Sequence, residues 1–422
     1  MIRITAIALL LGCGAKTGLP VPEPGDAGVD AVDARVIDIG PDSFVPPPPP
    51  DVCVELPPEE PPEFVDVSFL ARIATADVLF LVDVTGSMNE EIEQIQATLR
   101  DQIAPALATA VDDVHIAVAE FADFPVSPYG DDRDVPFRLV QQSTGDLSEA
   151  QRGVGRLRRL SGSDVPESHT EALFQAASGA GLGSFVPPRR CPADTVGYPC
   201  FRATGSRIIL LFTDAEFHNG PGGSAPYTEP PIRPRPTTYE MAVDALNGIG
   251  AKVLGLYSGG DFGGALAVQN LQQIARDTGA VSETGEPIWV DIGTAGERLD
   301  TGVIDVVRTL VEETPIDIDA IAEDWPFDEL DALEFVEEIT TTGATPADGA
   351  LDLGDRYESV RPGTRVRFRV SLANDRIERR AEPQVYYLTI VLRGDGVTRL
   401  RETTVQIVIP SIGGDGCDDV AM

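Results

Sequence analysis

From residue 76 onward the chain alternates short apolar runs with segments whose apolar residues recur every three or four positions. ADVLFLVD (76–83), HIAVAEFAD (115–123), RIILLFTD (207–214), AKVLGLYS (251–258) and PIWVDIG (287–293) predict strands. EEIEQIQATLRDQIAPAL (90–107) places Ile92, Ile95, Leu99 and Ile103 on one face and predicts a helix. Further helices are predicted over 147–160, 167–178, 237–250, 264–279 and 296–313. Strands that are apolar throughout are buried on both faces, so this part predicts an α/β fold with a doubly wound, mostly parallel sheet. Past Thr314 the period drops to two. RVRFRVSLAND, QVYYLTIVLRGDG and ETTVQIVIP alternate between turn residues and predict a C-terminal antiparallel β-sandwich. Ahead of the α/β part, PEPGDAG, PPPPP and LPPEEPPE leave little to bury and predict a solvated stalk with polyproline character. The first residues, MIRITAIALLLGCGAK, carry an apolar stretch from Ile4 to Leu11, about half of the roughly 20 residues a spanning helix needs. It reads as a signal segment. The expected organisation is a signal at 1–12, a stalk at 13–63, an α/β domain at 64–313 and a sandwich at 314–415.

Charge narrows the partners. The 422 residues carry 68 Asp and Glu against 32 Lys and Arg, a formal charge of −36. Phosphate backbones need a basic footprint, so nucleic acid is an unsuitable partner and cations are the natural one. Lys16 and Lys252 are the only lysines, which argues against a catalytic or phosphate-binding lysine. Leu10-Leu11-Gly12-Cys13 resembles the bacterial lipoprotein signal, which implies lipidation of Cys13 and a membrane attachment through lipid alone. The remaining cysteines, Cys53, Cys191, Cys200 and Cys417, are even in number, as expected of two disulfides in an exported chain. Three connectivities are open. Cys191 and Cys200 flank a Pro/Gly-containing loop and are paired locally, which leaves Cys53 with Cys417. No C-x-x-C occurs, and His115, His169 and His218 lie away from zinc-ligand spacing relative to the cysteines.

Ligands of open α/β sheets bind beyond the carboxyl ends of the strands. There the first strand delivers Asp83, Thr85 and Ser87, and the second delivers Asp123. The next loop, GSDVPES, delivers Asp164 and Glu167, and the following strand delivers Asp214. Four segments thus bring carboxylates to one edge, a cluster that a divalent cation resolves. Oxygen donors of this kind suit magnesium. Read singly, Asp83, Thr85 and Ser87 are also good helix caps, and Glu167 suits a helix N-terminus. His218 reads as a loop residue, His169 as a surface residue, and GDDRD (130–134) as a solvated loop.

D-V-T-G-S at 83–87, Glu167 in D-V-P-E-S and Asp214 resemble the metal-ion-dependent adhesion site of von Willebrand factor A domains. Glu167, where most A domains carry Thr, and FADFPVSPY (121–129) resemble the integrin β-subunit I-like group more narrowly. The resemblance covers about residues 76–313. It implies a central site of Asp83, Thr85, Ser87, Glu167 and Asp214, holding Mg²⁺ or Mn²⁺. It also implies a neighbouring calcium-type site of Asp123, Asp164, the Pro166 carbonyl and Glu167, and a third assisted by Glu90 and Glu91. Two departures stand out. Gly162 replaces an amide side chain, and glutamates replace aspartates at 90 and 91. The implied function is that of a lipid-anchored protein of the bacterial envelope, at the outer membrane or cell surface, whose cation binds an acidic side chain of a protein partner. The alternative is an assembly component of an envelope complex that needs metal to fold. With no G-x-S-x-G, H-E-x-x-H, P-loop or Cys/His pair, no enzymatic activity is expected.

Overall fold

The computed structural model describes residues 46–228, 231–259 and 264–420. Cys13 and the signal segment lie outside them. The chain divides into two units, Met1–Pro46 and Pro47–Met422, and every element below belongs to the second. Strands β1 (Val52–Glu55) and β2 (Glu63–Leu70) come first. The α/β domain then runs through β3 (Thr75–Asp83), α1 (Asn89–Thr98), α2 (Ala104–Ala110), β4 (Asp113–Phe121), β5 (Arg138–Thr144), α3 (Leu147–Val154) and α4 (His169–Ser178). It continues through a short hairpin, β6 (Thr195–Val196) and β7 (Phe201–Arg202), to β8 (Ser206–Thr213), α5 (Tyr239–Gly248), β9 (Ala251–Tyr257), α6 (Gly264–Asp277), β10 (Trp289–Asp291) and α7 (Leu299–Glu313). The last part holds β11 (Ile316–Asp324), β12 (Val336–Thr345), β13 (Leu351–Asp352), β14 (Arg356–Val360), β15 (Arg365–Leu372), β16 (Gln384–Gly394) and β17 (Thr398–Ile409).

The α/β class expected from the apolar pattern is the observed one. The sheet order is β10-β9-β8-β3-β4-β5, parallel except for β5, which pairs antiparallel with β4. Alternate residues of β3 feed two cores. Val78, Phe80 and Val82 pack with Ile92, Ile95, Val303 and Val307, while Leu79 and Leu81 pack with Leu173, Leu246 and Leu271. Burial of both faces explains the unbroken apolar runs. The helix expected over 90–107 is split by a π-helical turn, Leu99–Ile103, just before Pro105. Proline lacks the N–H that the regular ladder needs. The residues of β5 are only half buried and alternate weakly, as on an edge, so the apolar pattern predicts no strand there.

In the sandwich, one sheet runs β1-β17-β16-β11-β14-β13 and the other β12-β15-β2. β15 shows the period of two plainly: Val366, Phe368 and Val370 are buried, while Arg365, Arg367 and Arg369 are exposed. Two expected boundaries are corrected here. β1, assigned to the stalk, pairs parallel with β17, and β2, assigned to the α/β domain, pairs antiparallel with β15. The apolar side chains Val54, Leu56, Val65 and Val67 belong to the sandwich core; flanking prolines hide the first two in the sequence, whereas EFVDVSFLARI (63–73) reads as a segment able to supply a strand to the sandwich, as β2 does. Disulfides join Cys53 to Cys417 and Cys191 to Cys200, as paired from the sequence.

Candidate metal centre

The carboxyl ends of β3, β4 and β8 lie side by side, because these strands are neighbours in one parallel sheet. Asp83 ends β3 and is fully buried. Its Oδ1 accepts from the Thr85 N–H (3.0 Å) and the Thr85 hydroxyl (2.8 Å), and its Oδ2 accepts from Thr213 (2.8 Å). Thr85 Oγ1 lies 3.4 Å from Ser87 Oγ, which donates to Asp214 Oδ1 at 3.1 Å. Five oxygen-bearing residues of three loops therefore meet once Glu167 is added. Glu167 is held by its backbone: its N–H donates to the Glu216 carbonyl (2.9 Å), and its own carbonyl accepts from the His218 N–H (2.8 Å). Its Oε2 is buried without a hydrogen-bond partner.

Electrostatics describe a cluster short of positive charge. Burial and the nearby Asp214 raise Asp83 to about 7. Burial, then Asp83, Asp123 and Asp164, raise Glu167 well above the usual carboxylate range. Burial raises Asp214 too. Burying several carboxylates together disfavours their ionised forms unless a cation compensates. The donors are all oxygens, and Glu167 Oε2 is an orphan acceptor, so the residues fit a hard divalent ion.

The loops are braced from outside the set. The Ser161 and Gly162 N–H groups donate to Asp134 at 3.3 and 3.2 Å. Asp134 is therefore a buried strut, a correction to its reading as part of a solvated loop. Gly162 adopts φ +64°, and a Cβ there would collide with Glu167 Oε1. The departure from an amide side chain thus leaves room for this glutamate. His169, expected at the surface, is fully buried. Its Nε2 lies 2.7 Å from Thr213 Oγ1, the ring stacks on Phe217, and burial lowers its pKa to about 3. Its position is set by the parallel bridge between Glu167 and Phe217, a non-local contact that no sequence period reveals.

Among the other expected ligands, Asp123 is buried at the end of β4, and Asp164 lies part-exposed beside it. Pro166 is half-buried in the loop between Asp164 and Glu167. Glu90 and Glu91 diverge, since adjacent helical residues project about 100° apart. Glu90 is exposed, whereas Glu91 is buried and accepts from Ser258 Oγ at 2.6 Å. His218, read as a loop residue, is buried against Asp123 and Asp164. The sequence signal for it was slight: it lies four residues after Asp214 on the same strand-end loop.

No family model and no curated protein matches the sequence. Among solved structures, the chain is similar to a von Willebrand factor type A protein from Catenulispora acidiphila, with 12% identity and a TM-score of 0.36 over 85% of this chain and 72% of that one. It is also similar to the pilus adhesin SpaC from Lactobacillus rhamnosus GG in its open conformation, with 13% identity and a TM-score of 0.34 over 82% of this chain. The chain spans 45% of that adhesin's length. At such scores neither likeness says what this chain binds.

Proposed function

We propose that the α/β domain binds Mg²⁺ or Mn²⁺ through Asp83, Thr85, Ser87, Glu167 and Asp214 and uses it to bind an acidic side chain of a protein partner. The observation that carries this reading is the buried, partnerless Glu167 Oε2, set among Asp83, Asp214 and two hydroxyls at the open end of the sheet. Thr85, Ser87, Glu167 and Asp214 line a cavity there together with Ser258 and Thr294, so a ligand oxygen has access to the cation position. A cation held by three carboxylates supplies Lewis acidity to an incoming carboxylate, while the hydroxyls orient it. No nucleophile–base pair is proposed, and the role is binding rather than catalysis. The N-terminal signal resemblance extends the proposal to a lipid-anchored protein of the bacterial envelope, at the outer membrane or cell surface. No helix among the described residues is long and apolar enough to cross a membrane.

Calorimetric titration of Mg²⁺, Mn²⁺ and Ca²⁺ into wild type and Asp83→Ala tests the cation. Competition by a soluble acidic peptide then separates adhesion from an assembly role in which metal serves folding only. Wild-type cation binding that Asp83→Ala retains unchanged would sink the proposal.

A further inference from the structure

Beside the central cluster lies a second group of different chemistry. Asp123 comes from the end of β4, Asp164 from the loop before α4 and His218 from the loop after β8. One ligand atom of each lies within 4.8 Å of the others. His218 Nδ1 is 2.6 Å from the Ala225 carbonyl, which only accepts, so the proton sits on Nδ1. In the neutral ring Nε2 then offers its lone pair to the carboxylates, 3.3 Å from Asp123 Oδ2 and 3.2 Å from Asp164 Oδ2. The ring is fixed by stacking on Tyr227, at 4.1 Å between centroids, with Tyr129 edge-on at 5.4 Å. Asp123 is equally fixed. Its Oδ1 accepts from the Tyr227 hydroxyl and the Phe124 N–H, both at 2.6 Å. Its Oδ2 is fully buried and has no hydrogen-bond partner.

We propose that Asp123, Asp164 and His218 form a second cation site that takes a nitrogen-preferring divalent ion of the zinc type rather than calcium. Calcium takes six to eight oxygens, whereas an imidazole with two carboxylates suits zinc, which accepts three protein ligands and one open position. Bonds of about 2.0–2.1 Å in tetrahedral geometry set ligand atoms roughly 3.3 Å apart, and His218 Nε2 stands at 3.2 and 3.3 Å from the two carboxylates. The Ala225 carbonyl and the Tyr227 hydroxyl supply the outer hydrogen bonds that orient metal ligands. Asp164, about one-third exposed, leaves an entry path. The site uses none of the five central residues, so it stands apart from the adhesion reading.

The test is titration of Zn²⁺, with Co²⁺ as a visible-absorption probe, into the demetallated full chain under excess Mg²⁺ and Ca²⁺. Wild type, His218→Ala, Asp164→Asn and Asp83→Ala are compared, with folding checked by thermal melts. The expected result is one tight Zn²⁺ and a tetrahedral Co²⁺ spectrum in wild type and in Asp83→Ala. Affinity should fall by at least about 100-fold in His218→Ala and in the milder Asp164→Asn. Absence of Zn²⁺ binding in wild type, or equal binding in folded His218→Ala and Asp164→Asn, overturns the proposal and leaves His218 as an internal counter-charge. Loss of Mg²⁺ by Asp83→Ala with retained Zn²⁺ supports both sites as independent.

Discussion

Replacing Gly162 by alanine isolates the fit between the 161–162 turn and Glu167. Two effects follow from the geometry. The residue sits at φ +64°, where an L side chain costs about 1–2 kcal/mol. The new Cβ would overlap Glu167 Oε1 and lie 3.4 Å from Glu167 Cδ and 3.3 Å from Thr85 Cγ2. The carboxylate is the movable partner. Restoring ordinary contact moves Oε1 by about 1 Å, and a metal ligand tolerates only about 0.2 Å. Cation affinity should therefore fall at least tenfold, or about 1.4 kcal/mol. The cation-free protein should lose about 1–2 kcal/mol of stability from the backbone and a further amount from the collision. In a Glu167→Ala background the collision partner is gone, so only the backbone cost should remain. Thermal melts of the four cation-free proteins, with calorimetric titration of wild type and Gly162→Ala, close the cycle. Wild-type affinity in Gly162→Ala, or the same stability loss in both backgrounds, would refute the reasoning.

A bound cation should stabilise the folded chain by about 2.7 kcal/mol at a hundredfold excess over Kd, so Mg²⁺ or Mn²⁺ should raise Tm and a chelator should reverse it; a melting curve indifferent to all divalent ions speaks against the central site. Glu120 is fully buried on β4, bonded to Arg138 at 2.6 Å and to Arg158. Because both arginines are part-exposed, Glu120→Gln should cost about 1–3 kcal/mol and speed hydrogen exchange in β5; unchanged protection of β5 would contradict its role as the edge anchor. Cys53→Ser should cost about 2–4 kcal/mol, confined to the sandwich, with cation affinity unchanged by titration; a coincident loss of affinity would show that the two parts do not respond separately.

The parallel core was legible because burial on both faces leaves an unbroken apolar signature, as in Val78–Val82. The central set was legible because strand ends in such a sheet converge, and Asp83, Thr85, Ser87 and Asp214 all lie on them. What escaped depends on contacts without a sequence period. β5 is a half-buried edge, and β1, set among prolines, reaches the sandwich by pairing with a strand hundreds of positions later. His169, His218 and Asp134 are polar and lie in or beside loops, so their burial is decided by loops that fold against them. The two disulfides were accessible by counting, because pairing the near cysteines leaves a single choice for the distant ones.

The arrangement of the two parts bears on how the site would work. Contacts between the α/β domain and the sandwich gather at the starting ends of β8 and β9: Lys252 pairs with Asp395 at 2.8 Å, and Arg207 donates to Thr398 at 3.3 Å. The carboxylate cluster lies at the opposite ends of those strands. An eight-residue strand such as β8 spans about 25 Å, well beyond the 7–10 Å within which mutational effects usually couple. The carboxylate cluster therefore opens on a surface free of the sandwich, whose β1 is joined to the segment after β17 by Cys53–Cys417. The geometry of the cluster is set by its own loops: Asp134 behind Gly162, Thr213 behind Asp83, and the Glu167–Phe217 bridge that holds the glutamate in place.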